Sequence, residues 1–145
     1  MRHYIAFILA AAALNAAWAA APQFNRVFGS HMVLPHGKKV PVSGTAEPNK
    51  EISVTFGGAT LKTKADSKGN WTVTLPPMQP NAAGQTLTAS QNGKTATLKD
   101  VLVGEVWLAS GQSNMLFRLD QTPTGRQQDI AASAAPELRI FHNVP

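Results

Sequence analysis

The chain contains no cysteine. That excludes disulfides, a thiol nucleophile, Cys-ligated metal sites and a lipid anchor on a cysteine. Charge is also scarce: Asp, Glu, Lys and Arg make up 14% of the 145 residues. The net charge of +5 is dispersed, and Lys38-Lys39 is its only adjacent basic pair. No nucleic-acid footprint follows from this, and such charge bears mainly on solubility. No His-Glu-x-x-His, phosphate-cradling glycine motif or calcium loop occurs, so neither a metal nor a cofactor is expected. After the first residues there is no repeat, charge block or low-complexity tract.

The remaining composition, 43% hydrophobic, suits a globular exported protein with room for little more than one ordinary domain. The N-terminus reads as a secretory leader. Arg2 supplies a positive start, Ile5–Leu14 an apolar core, and Ala17-Trp18-Ala19 an Ala-x-Ala site. The apolar core is shorter than the ~20 residues that a membrane span needs. Cleavage is expected after Ala19, giving a periplasmic or secreted product with no stable membrane insertion.

Residues 20–100 read as an all-β module. Glu51–Phe56 alternates, with Ile52, Val54 and Phe56 on one face. Trp71–Leu75 repeats that pattern. Val40–Gly44 is a strand whose Pro41 suggests a start or an edge. Gly57-Gly58 and Asn92-Gly93 are two-residue hairpin signals. Ala59–Lys64, Gln85–Ser90 and Lys94–Lys99 complete the strands, and Pro76–Gly84 reads as a loop. Such spacing suggests a small antiparallel sandwich. Its expected core is Ile52, Val54, Phe56, Leu61, Trp71, Val73, Leu75, Leu87 and Leu98. Asn70-Trp71-Thr72 matches a glycosylation acceptor only formally, since it opens a strand with an inward Trp.

At Val101 the character changes. Val101–Leu108 is a continuous apolar run, which favours a strand buried on both faces of a parallel sheet. Ala109–Asn114 then breaks into small and polar residues. A helix is expected over Asn114–Leu119, with Asn114 as N-cap. Another is expected from Thr124 or Gly125 to Ala134, ended by Pro136, and then a strand over Leu138–Phe141. Strand, helix and strand would open an α/β domain over residues 101–145. A serine on a Gly-containing turn between strand and helix is how several hydrolases present a nucleophile. From the residues alone, without the flanking block, a turn or cap hydroxyl is the favoured reading of Ser113 over a nucleophile.

Val101–Leu108 followed by Ser110-Gly-Gln-Ser-Asn-Met115 resembles the N-terminal part of the sialate O-acetylesterases, serine esterases of the SGNH hydrolase superfamily. Val27–Leu34, Val40–Thr45 and Gly69–Leu75 support the resemblance, which covers nearly all residues after the leader. It implies a β sandwich followed by the first β-α-β of an SGNH, flavodoxin-like α/β hydrolase domain. It implies that Ser113 attacks an O-acetyl ester of sialic acid or a related sugar, and that its N–H contributes to the oxyanion hole. Asn114 is a candidate binding residue. Two departures stand out: Leu116 occupies a position commonly acidic in the family, and Ala109 one that is often Cys.

The resemblance also implies an Asp-x-x-His block for the catalytic base, and this sequence has none. His3 lies in the leader, while His31 and His36 lie in the β module. His142 has Arg139, not an acid, three positions earlier. Each is read as structural or superficial. The chain is thus expected to be a truncated N-terminal fragment, inactive alone. Val101, Val103, Val106 and Leu108 should then lack half their cover and favour aggregation or a partner. The alternative is a secreted glycan-binding sandwich without catalysis.

Overall fold

A computed structural model describes residues 21–122 and 126–141. The leader and His142 lie outside the described residues. Among the described residues, eight strands form two sheets. The smaller sheet is ordered β1 (Gln23–Phe24), β3 (Val40–Thr45), β6 (Asn70–Leu75) and is antiparallel throughout. The larger is ordered β2 (Val33–Pro35), β8 (Lys94–Gly104), β7 (Asn81–Gln91), β4 (Glu51–Phe56), β5 (Ala59–Lys64). Its pairs are antiparallel except β2 with β8, which is parallel.

Period-two alternation places one side of each strand between the sheets. Val40, Val42, Trp71, Val73 and Leu75 face Ile52, Val54, Phe56, Leu87 and Ala89 in one buried cluster. Burial of each large side chain contributes about 1.5–3 kcal/mol. Trp71 is the largest fully buried residue, and its ring meets Phe24 edge-on at 5.7 Å. Gly44 makes this packing possible. A Cβ there would stand 1.8 Å from the Gln23 carbonyl oxygen and 2.7 Å from the Trp71 ring. Both expected hairpins form with the left-handed backbone that a two-residue loop requires: Gly57-Gly58 joins β4 to β5, and Asn92-Gly93 joins β7 to β8. Leu61 and Leu98, expected in the core, pack partly buried against it. Pro41 is tolerated because β1 pairs only with Gly44 and Thr45, leaving the Pro41 side of β3 open.

Two expectations within the sandwich are corrected. The Pro76–Gly84 loop is shorter, since β7 begins at Asn81. The sandwich is not wholly antiparallel: Val33–Pro35 adds a parallel strand at the edge and sinks Leu34 into the core.

The larger correction concerns residues 101–141. Val101, Leu102 and Val103 are buried as a run, but they end β8 between β7 and β2. Their cover is therefore the sandwich, and Val101 and Val103 join its core. From Glu105 the chain leaves the sheet, with Val106 and Leu108 exposed as expected and Trp107 beside them. The helix expected over Asn114–Leu119 is two 3-10 turns, Ser113–Leu116 and Leu119–Gln121. The next helix is the short α1, Arg126–Ala132, and its expected start at Thr124 or Gly125 lies outside the described residues. Leu138–Phe141 forms no strand, and Leu138, Ile140 and Phe141 are exposed. The described residues thus form no β-α-β unit. No described helix is long and apolar enough to cross a membrane.

Candidate functional site

The Ser113 segment is delivered by the end of β8. Gly104 pairs with Pro35, and the next residue, Glu105, bonds through Oε1 to His36 Nε2 at 2.7 Å. The chain then runs exposed through Ala109 and Ser110. At Gly111 it turns closely: a Cβ there would lie 2.9 Å from Met115 Cγ. Gln112 is extended (φ −100°, ψ −151°), and Ser113 begins the 3-10 turn. Within the turn, Met115 N–H donates to Gln112 O at 2.9 Å and Phe117 N–H to Asn114 O at 3.1 Å.

Gln112, not Asn114, is therefore the residue that caps the turn, and it does so without a side-chain bond. Asn114 lies inside the turn beside Ser113. The first N–H groups of such a turn have no acceptor within it, so those of Ser113 and Asn114 point outward from its start. Ser113 is exposed.

No histidine among the described residues is paired with Ser113. His31 Nδ1 lies 2.7 Å from Asp100 Oδ2, and His36 is held by Glu105. Both pairs sit at the β2–β8 seam on the surface. Asp100 also accepts from Arg139 Nη2 at 2.9 Å. The His31 hydrogen bond, and then the charges of Arg139 and His31, hold the Asp100 carboxyl below its ordinary range against some desolvation. This group of charged residues was not found from sequence. His31 and Asp100 are 69 positions apart, and only the parallel pairing of β2 brings them together. No group of His, Asp and Glu able to hold a metal ion occurs among the described residues. A shallow cleft of about 330 Å³ is lined by His36, Lys38, Glu105 and Val106, and another of about 320 Å³ by Phe56, Pro77, Gln79 and Gln85. Ser113 lines neither.

Residues 31–100 match the family model of a bacterial Ig domain. That accounts for the sandwich. Over 129 residues the chain is 32% identical to a sialate O-acetylesterase of Rattus norvegicus, covering 82% of this chain. A sialate O-acetylesterase of Homo sapiens is 29% identical over 133 residues, or 85% of this chain. Its relatives are sialate O-acetylesterases. The chain spans about a quarter of their length, 24% and 25% respectively. Among solved structures, a carbohydrate acetylesterase from Xanthomonas citri superposes with a TM-score of 0.74 at 35% identity. That match covers 80% of this chain and 26% of the other. Over most of its length the chain is thus matched by sialate O-acetylesterases in sequence and by a carbohydrate acetylesterase in structure.

Proposed function

We propose that this chain supplies the sandwich and the nucleophile segment of a carbohydrate O-acetylesterase. One observation carries this reading: Ser113 stands exposed at the start of a turn, within a chain whose relatives are carbohydrate esterases. In the proposed reaction, Ser113 Oγ attacks the carbonyl carbon of an O-acetyl group on sialic acid or a related sugar. A base takes the hydroxyl proton as the C–O bond forms. The oxyanion is stabilised by outward N–H groups at the turn, that of Ser113 among them. Collapse breaks the ester bond, and the sugar oxygen leaves with a proton. Water then hydrolyses the acetyl-serine, regenerating Ser113 and releasing acetate. The base is proposed to come from outside the described residues, because neither described histidine is paired with Ser113. Asn114 is proposed to contact the substrate beside Ser113. The substrate is a sugar ester, with no role for nucleic acid or a cofactor. Residues 1–19 are proposed to direct export, and a mature N-terminus at Ala20 checks this.

A chimera tests the nucleophile. Residues 22–141 replace the aligned quarter of the Xanthomonas citri carbohydrate acetylesterase. The chimera should hydrolyse acetyl esters, and Ser113→Ala should lower kcat by at least 10³-fold. A folded chimera in which Ser113→Ala keeps full turnover would refute the assignment.

A further inference from the structure

We propose that Asp100 is a two-sided latch that fastens the Ser113-bearing segment to the Ig-like sandwich, gripping His31 on the sandwich and Arg139 on the segment. A single oxygen, Oδ2, meets His31 Nδ1 at 2.7 Å and Arg139 Nη2 at 2.9 Å. Arg139 follows Asp100 by 39 positions, and Ser113 lies between them, so the contact closes the loop that carries Ser113. The start of that loop is held by the His36–Glu105 pair. The segment is thereby fixed at both ends, while its other ion pair among the described residues, Arg118–Asp120, is internal.

An exposed ion pair alone is a weak tie. This one has a backbone shaped around it. Between the pairs Gln85–Val101 and Leu87–Leu98, β8 holds one residue more than β7, and Asp100 occupies that bulge. Asp100 and His31 both adopt left-handed backbone, with φ of 53° and 65°. Non-glycine residues adopt it at a cost, and it persists where the surroundings enforce it. On the facing strand, Gly84 clears the space: a Cβ there would stand 2.3 Å from Asp100 Oδ1. On the other side, Arg139 is only 26% exposed, and its Nη1 also bonds the Pro136 carbonyl. The guanidinium thus joins the turn before it, where Leu138 N–H meets Ala135 O, to the sandwich. The bulge, two left-handed residues and a glycine opening serve the aim of one carboxylate.

The latch is independent of the esterase reading, because its test reads a distance and not turnover. With no native cysteine, Thr72→Cys on β6 and Ala134→Cys after α1 can carry spin labels in the full chain. Double electron–electron resonance should show one narrow distance distribution. Arg139→Gln should at least double its width, and Arg139→Lys should recover part of the narrowing. Asp100→Asn should broaden it too, since Asn accepts left-handed backbone and preserves the bulge while removing the charge. Thermal melting checks that the sandwich stays folded. Native width in Arg139→Gln overturns the proposal, as does a broad distribution in the chain carrying only the labels.

Discussion

His36 and Glu105 meet at 2.7 Å across a sequence separation of 69, the same separation that relates His31 to Asp100. The pairings Val33–Leu102, Leu34–Val103 and Pro35–Gly104 repeat that offset. One parallel register therefore sets both histidine–carboxylate pairs. Antiparallel partners change their separation at every step, whereas parallel partners keep it. The three-residue β2 is thus the ruler that spaces the charged groups along the seam from which the Ser113 segment departs.

This makes Leu34 the residue on which the seam depends. It is 1% exposed and is the central residue of β2. Leu34→Ala should cost about 2–5 kcal/mol, measured as the change in urea unfolding free energy. It should also release the His31 and His36 contacts, visible as shifts of both imidazole resonances. A loss under about 1 kcal/mol would show that β2 is an ornament on β8 and not part of the core.

The strands that alternate were legible because their pattern is local. Ile52, Val54 and Phe56, and likewise Trp71, Val73 and Leu75, are all buried where period two places them. Val33–Pro35 has too few residues to show a period, so its parallel pairing was not legible. Val101–Val103 shows the opposite difficulty. An apolar run says that both faces are covered, which is so here, but it does not say by what. The cover is the end of the sandwich, and the expected opening of an α/β sheet is not formed by the described residues after Val101. The role of Ser113 as nucleophile is proposed, but that it stands on a turn after the apolar run was legible from its small and polar neighbours. The grouping of His31, Asp100 and Arg139 was not, because it needs a bulge, a left-handed residue and a facing glycine at once.

Acid should act on the sandwich through the turn between β5 and β6. Asp66 Oδ1 accepts from the N–H groups of Lys68 and Asn70, both at 2.8 Å, and Oδ2 from Asn70 Nδ2 at 3.1 Å. The Asn70 side chain first, then its N–H, hold the Asp66 carboxyl below its ordinary range, and the Lys68 and Gly69 amides add to this against some desolvation. A folded-state value below the unfolded one stabilises the fold fully above the unfolded value, about 3.9 for Asp. That contribution fades as the pH falls through the lowered folded value. Unfolding free energies of the native chain and Asp66→Ala should therefore differ most near pH 7 and converge below about pH 4. A difference that stays constant from pH 7 to pH 3 would assign the effect to the changed side chain's packing and not to its charge.

The 145-residue chain by itself should hydrolyse 4-nitrophenyl acetate no faster than buffer. A serine hydroxyl at neutral pH is a poor nucleophile unless a base accepts its proton within hydrogen-bond reach. Ser113 is exposed, and neither histidine of the described residues is paired with it: His31 bonds Asp100 and His36 bonds Glu105. Turnover should not change on Ser113→Ala, nor on His31→Ala or His36→Ala. Measurable turnover that disappears with Ser113→Ala would mean that a base reaches Ser113 within this chain. Loss with His36→Ala as well would identify that base, with Glu105 on Nε2 holding the ring while the other nitrogen takes the proton.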